Sequence, residues 1–196
     1  LQKLSKQEVA RVVEAVAKRR PEAIAIGFLH AYRDPIHEKR MARALKKLGV
    51  PVFTSHEVAP EYREYERFTT TWANAALAPV VAPALRELNA EVERRFPGSA
   101  EVRILRSDGG TASAHAAAAD PVHLALSGPA GGLAAARTLA DARGDGAVLT
   151  LDMGGTSTDV ALLPPGEPEV TPMRLGGLPL LARGLPVHSV GTGGGS

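Results

Sequence analysis

Residues 23–54 alternate strand, helix and strand, and that alternation confines the chain to layered α/β architectures. "AIAIGFL" reads as a buried strand, and "VPVFTS" as a second one. Between them "DPIHEKRMARALKKLG" reads as a helix, with Asp34 as its N-cap, Pro35 at the first helical position and Gly49 closing the C-terminus. A connection of this length is what a parallel strand pair requires. Upstream, residues 6–20 set Val9, Val12, Val13 and Val16 on one helical face, and Pro21 stops that helix.

The alternation continues. Residues 60–96 form a mostly helical stretch that the pattern breaks at Pro79 and Pro83. Its centre, "TTTWANAALAPVVAPAL", is almost uncharged, as suits a helix buried between two layers with Trp72 in the core. "EVRILRS" is a third strand, leading through "DGGTAS" into a short alanine-rich helix. The expected order is then strand "VHLALS", turn "GPAGG", helix "LAAARTLADAR" and strand "AVLTLD". After residue 163 the composition shifts to proline, glycine and isolated apolar residues. A boundary near residues 58–68 divides the chain into two units. "RSDGGTAS" and "LDMGGTST" resemble one another, each following a strand.

Composition excludes several functions. Positive charges are interleaved with acids on the helices, the net charge is only +2, and no cationic stripe carries interspersed aromatics, so nucleic acid is not an expected partner. The absence of cysteine removes disulfides, thiolate metal sites and a cysteine nucleophile. No apolar run is long enough to span a bilayer and no signal peptide precedes the first helix, so a cytoplasmic protein with no membrane partner is expected. The chain starts at Leu1 and ends in "GTGGGS"; both ends read as cut.

Three glycine clusters carry the chemistry. In "TLDMGGTSTDVAL" an apolar strand delivers Asp152, then Gly154 and Gly155, then Thr156, Ser157 and Thr158, then Asp159 and a second apolar strand. Glycine lets an anion approach backbone amides, and successive amides form a nest for phosphate oxygens. Asp152 repels phosphate directly but becomes useful with Mg²⁺ between them. Asp159 has the same capacity, or orients water, or holds the turn. An ordinary tight turn accounts for the local pattern as well as a phosphate cradle does. In "LALSGPAGGLAAARTLA", Ser127 or Gly128 ends a strand, and Gly131 and Gly132 open a helix whose N-terminus suits an anion. Close helix–strand packing is the alternative. Gly193 and Gly194 belong to the third cluster, which alone reads equally as a linker.

No GxxxxGK[ST] stretch is present, which excludes a P-loop, and a dinucleotide fingerprint would need glycine at Ser196. His30, His37 and His56 have no partner at metal-ligand spacing, and structural hydrogen bonding is the better reading for them. His115, His123 and His188 are scattered. "YREYERFTTT" suits either substrate contact through Arg67 or a threonine, or a capped, salt-bridged helix start. No GxSxG elbow supports a serine–histidine–acid triad.

The words "FLHAYRDPIHE", "SHEVAPEYREYERFTTTWANAAL", "RSDGGTAS", "LSGPAGG", "DMGGTSTDVAL" and "HSVGTGGGS" together resemble the hydantoinase A and 5-oxoprolinase family, which includes the acetone carboxylase β subunit. They run in the family's order from about residue 22 onward. The resemblance implies an actin-like, sugar-kinase-like ATPase fold built on ribonuclease-H-like domains. Residues 1–58 would then be the C-terminal part of the family's N-terminal α/β domain, and residues 59–196 the first part of its ATPase-like domain. It also implies ATP-dependent opening of a cyclic amide, with a hydantoinase B-like partner subunit or domain. Asp152 and Asp159 would be catalytic, with Asp152 on the Mg²⁺. Gly154, Gly155, Thr156, Thr158, Ser127, Gly128, Gly131, Gly132, Gly193 and Gly194 would surround ATP. An ATP-dependent ketone carboxylase subunit and a non-catalytic assembly domain are the alternatives. The chain departs from the family pattern in having no DxGGTxTD-type hairpin before residue 100 and in carrying Pro186 where an aspartate usually precedes the His188 position.

Overall fold

The first helix shows how closely local sequence dictates structure. In the computed structural model, which describes residues 4–155, 157–166 and 169–191, α1 spans Lys6–Arg19. Ser5 Oγ accepts from the Glu8 amide at 3.1 Å while the Glu8 carboxylate accepts from the Ser5 amide at 2.7 Å, a reciprocal cap. Val9, Val13 and Val16 pack on Ile24, Ile26, Met41, Ala42 and Leu45. Val12 belongs to the same sequence stripe yet is 40% exposed, at its rim.

β1 (Ile24–Ile26) and β2 (Val52–Thr54) pair in parallel, Ile24 opposite Val52, with α2 (Ile36–Leu45) as the crossover. Pro35, not Asp34, is the N-cap, but the Asp34 carboxylate still accepts from the Ile36 amide at 3.2 Å. A 3₁₀ turn, Lys46–Leu48, prolongs α2 to Gly49, whose φ of 75° supplies the left-handed exit.

After a short α3 (Ser55–Val58) comes α4, Glu64–Arg95, 32 residues long and uninterrupted by either proline. The expected break is absent because Pro79 and Pro83 lie four residues apart, so the missing N–H groups fall on one side of the helix. Tertiary packing against β1, β2, α5 (Ala114–Ala119) and β8 (Leu178–Gly184) holds the rest. Ala73, Ala75, Ala78 and Ala82 let those neighbours approach. Trp72 is not core: it is 56% exposed, while the threonines around it point inward. The Thr70 hydroxyl accepts from the Leu181 amide at 2.8 Å, and Thr69 donates to the Pro179 carbonyl at 2.6 Å, fastening the later strand β8 to α4.

β3 (Arg103–Leu105) and β4 (Thr111–Ser113) form an antiparallel hairpin, followed by α5 (Ala114–Ala119), capped by Ser113. The expected strand "VHLALS" does not form. Pro121–Leu124 is a 3₁₀ turn, and α6 begins at Ser127 and runs to Arg143. Pro121 fixes the turn's start. Ser107 then locks it, with its amide and hydroxyl donating to the His123 carbonyl at 2.7 and 2.8 Å and its Oγ accepting from the Leu126 amide at 3.1 Å.

β5 (Val148–Met153), β6 (Thr158–Leu163) and β9 (His188–Val190) make a three-stranded antiparallel sheet in the order β5-β6-β9. The glycine- and proline-rich segment between β6 and β9 holds a further hairpin, β7 (Thr171–Leu175) and β8 (Leu178–Gly184), turned at Gly176 and Gly177 with φ of 56° and 82°. Two cores serve this region: Ala73, Val122, Met173, Leu180 and Ala182 between α4 and β7–β8, and Ala130, Leu133, Ala161, Leu163 and Leu185 beneath α6. Among the described residues no helix is long and apolar enough to cross a membrane.

Candidate functional site

Apolar alternation builds the arms of the β5–β6 hairpin, and register decides where its polar residues go. Val148 pairs with Leu163, Thr150 with Ala161 and Asp152 with Asp159. Ala161 and Leu163 are buried against α6. By strand alternation the two aspartates stand on that same face, at the end next to the bend. Directly opposed residues have Cβ atoms roughly 4.5–5.5 Å apart, and like charges there are destabilising. Asp159 also accepts from the Ser189 hydroxyl of β9. Asp152 is exposed and Asp159 half-buried.

The Gly154 amide donates to the Ser157 carbonyl at 2.9 Å and closes the bend, so it is not free for an anion. The Gly155 amide has no partner among the described residues. Neither glycine has a left-handed φ, and a Cβ built on Gly155 would meet no atom within 4 Å. Among the described residues nothing requires glycine at 155, and the residue is exposed. Thr158 is buried and pairs with Met153 and Val190, on the face away from the aspartates. Thr156, Gly193 and Gly194 lie outside the described residues.

The second glycine cluster does not end a strand. Ser127 and Gly128 are the first turn of α6, which no side chain caps. Arg137, later in α6, donates to the Gly146 and Pro164 carbonyls at 3.2 and 3.1 Å, at the open end of the hairpin. Helix and β5 therefore run in opposite directions, and the amide-bearing start of α6 lies toward the end that carries Asp152 and Asp159. Gly131 has a packing reason, since its Cβ would lie 2.9 Å from Leu105 Cδ2, whereas Gly128 and Gly132 would meet nothing.

Two carboxylates suit Mg²⁺, which commonly takes one or two protein carboxylates and keeps several waters. No group of three or more metal-ligating side chains occurs among the described residues, so a cation held entirely by the protein is not what these residues offer.

The salt-bridged start expected as one reading of "YREYERFTTT" is present, with Arg67 Nη2 3.5 Å from Glu64 and Arg63 Nε 3.4 Å from Glu66; what sequence reading missed is a buried ionic network that joins α2 and α3 to α4. Glu38 and Arg67 are both fully buried. Glu38 accepts from the Phe28 amide at 2.9 Å, the Ser55 hydroxyl at 2.5 Å, the His56 amide at 2.9 Å and the His56 Nδ1 at 2.7 Å. Arg67 donates to Ser55 Oγ and to the Phe28 carbonyl at 2.9 Å, and its guanidinium lies 5.0 Å from the Phe68 ring centre. Burial pushes the Glu38 pKa up, but the hydrogen bonds from Ser55, His56 and Phe28 together outweigh it and hold the group below the usual carboxylate range. Arg67 is thus an internal counter-ion. One signal was available: Glu38 falls on the same helical stripe as Met41, Ala42 and Leu45. His56 has the structural hydrogen-bonding role expected of it.

Residues 67–196 match the hydantoinase/oxoprolinase family, and the chain belongs to that family. It is 35% identical to an uncharacterised protein of Methanocaldococcus jannaschii, over 86% of this chain and 25% of the relative. A nucleotide-free structure of acetone carboxylase, described in terms of ATP-dependent acetone carboxylation, superimposes with a TM-score of 0.86 at 29% identity, over 97% of this chain and 27% of that one. The ATP-dependent caprolactamase of Pseudomonas jessenii superimposes with a TM-score of 0.78 at 27% identity, over 97% of this chain and 28% of that one. The chain therefore spans about a quarter of the length of these relatives.

Proposed function

We propose that this chain is the phosphate-gripping part of an ATP-dependent cyclic amidohydrolase of the hydantoinase and 5-oxoprolinase type. The intact protein opens a lactam or hydantoin ring after phosphorylation of its carbonyl oxygen. The observation that carries the reading is the opposed pair Asp152 and Asp159 beside an exposed bend whose Gly155 amide has no partner, and whose Cβ position meets no atom, among the described residues. Family membership and two superimposable proteins described as ATP-dependent support it. An unstrained amide opens slowly, and coupling to phosphate transfer supplies the activation. Such transfer needs positioning and charge neutralisation more than a protein nucleophile.

In this reading Asp152 and Asp159 would hold Mg²⁺, which would offset the negative charge of the phosphates. Gly155 donates its amide to a phosphate oxygen, with Thr156 beside it, and Gly154 keeps the bend shut. Ser127 and Gly128 present the start of α6 to the nucleotide, with Gly132 leaving room nearby. Gly193 and Gly194 complete the nucleotide's surroundings. The fold is the actin-like, ribonuclease-H-like ATPase fold, beginning near residue 59, with residues 1–58 closing an adjoining α/β domain. A hydantoinase B-like subunit or domain supplies the rest of the reaction site.

The test is ATP turnover by the intact protein, followed as phosphate release with hydantoin or 5-oxoproline. Ring-dependent release that disappears in Asp152→Asn supports the assignment; release unchanged in that variant refutes it. The superposition on acetone carboxylase favours one second reading, activation of a ketone for carboxylation. Release dependent on acetone plus bicarbonate, and on neither ring, selects it.

A further inference from the structure

β1 and β2 run in parallel, and in open parallel sheets ligands bind outside the carboxyl ends of the strands. At that end β1 passes into Gly27 and Phe28, and β2 into Ser55 and His56. Two of the three non-glycine residues with a left-handed φ among the described residues meet close by. They are His30, at 57°, and Arg63, at 76°. The His30 amide donates to Glu64, the neighbour of Arg63, at 3.1 Å. Backbone strain of this kind gathers at ligand clamps and active sites.

The buried network grips His56 from one side. The Glu38 carboxylate, fully buried, accepts from both the His56 amide and its Nδ1, at 2.9 and 2.7 Å. Buried Arg67 lies 3.8 Å from the other carboxylate oxygen, and Glu38 is held below the usual carboxylate range. The carboxylate is therefore ionised at neutral pH and has no proton to give, so Nδ1 is the donor. In the neutral ring the lone pair then lies on Nε2. Nε2 has no partner among the described residues and is not one of their buried unpaired atoms, so it reaches the surface, on a side chain 11% exposed. A structural role uses Nδ1 alone. An imidazole oriented by a carboxylate presents its second nitrogen to a metal or to a substrate. No group of three or more metal-ligating side chains occurs among the described residues, which favours the substrate. We propose that His56 Nε2 accepts the ring N–H of a cyclic amide seated at the carboxyl ends of β1 and β2. The ligand class rests on the function proposed above; the open nitrogen does not.

The test needs no ATP. Saturation-transfer NMR on the intact protein compares 2-pyrrolidinone with N-methyl-2-pyrrolidinone, which keeps the ring and carbonyl but lacks the N–H. 2-Pyrrolidinone is expected to bind at least ten-fold more tightly and, in histidine-labelled protein, to shift the His56 Nε2 resonance. His56→Asn keeps a side-chain donor toward Glu38 in place of Nδ1. It should fold, as circular dichroism checks, and lose the preference for the N–H ring. The proposal is overturned by no saturable binding of 2-pyrrolidinone, by equal affinity for the two rings, by an unmoved His56 resonance, or by a preference that survives in folded His56→Asn. The ring comparison and the resonance need no variant to fold. Failure here leaves the phosphate grip standing, and failure of that grip in ATP turnover leaves this binding measurable.

Discussion

Asp152 and Asp159 are cross-strand partners, one on each arm of the β5–β6 hairpin and each next to the bend. Like charges directly opposed across two strands are destabilising. In the function proposed above, a cation shared between them offsets that cost.

Stability and function should therefore move in opposite directions at Asp152. Asp152→Asn removes the repulsion and raises stability by roughly 0.2–1 kcal/mol. ATP-dependent turnover of the intact protein falls by about 100-fold or more, on the scale of losing a preorganised electrostatic contact. Denaturant unfolding and a phosphate-release assay read the two effects separately.

Gly155→Ala tests whether the open space at the bend is structural. Since the added Cβ meets nothing and φ is not left-handed, the melting temperature should stay within about a degree of the parent, a shift of well under 0.5 kcal/mol. Mg-ATP affinity should nevertheless fall. Gly177→Ala is the control: at φ 82° it should lose about 1–2 kcal/mol.

The Glu38–Arg67 network predicts a pH dependence. The folded-state pKa of Glu38 lies below its unfolded value. Its contribution is thus complete above the unfolded pKa of about 4.3 and is lost as pH falls through the folded pKa, because protonation favours the unfolded chain. Glu38→Gln should cost up to roughly 3–5 kcal/mol at neutral pH by leaving buried Arg67 with Glu64, at 3.5 Å and partly exposed, as its remaining carboxylate partner. It should also flatten the acid side of the stability profile measured by urea unfolding.

Thr70→Val should cost about 1–3 kcal/mol, because the isosteric side chain leaves the Leu181 amide without its acceptor. Hydrogen exchange at Leu181 should speed up in the same variant.

Where local rules governed, the sequence was readable. The βαβ unit, the valine face of α1, the Gly49 exit and the β5–β6 hairpin all follow from period, capping and turn chemistry. It was least readable where tertiary contacts overrode them. Prolines 79 and 83 predict a break that the packing of α4 prevents. "VHLALS" has a strand's alternation, but Pro121 and the Ser107 bonds wind it into a turn. Trp72 looks like core and faces outward, because Thr70, Thr71 and Ala73 occupy the inner side of the helix. At the site, Asp152, Asp159 and Gly155 were visible as a motif. Their opposed register, the engagement of Gly154 and the direction of α6 were not, since each depends on pairing across the fold.

Equilibrium titration of the intact protein with Mg-ATP, alongside Mg-AMP, tests the phosphate grip most directly. ATP should bind at least ten-fold more tightly than AMP, and Asp152→Asn and Gly155→Ala should each abolish this preference while folding normally. Equal affinity for the two nucleotides, or a preference that survives both substitutions, would contradict the grip.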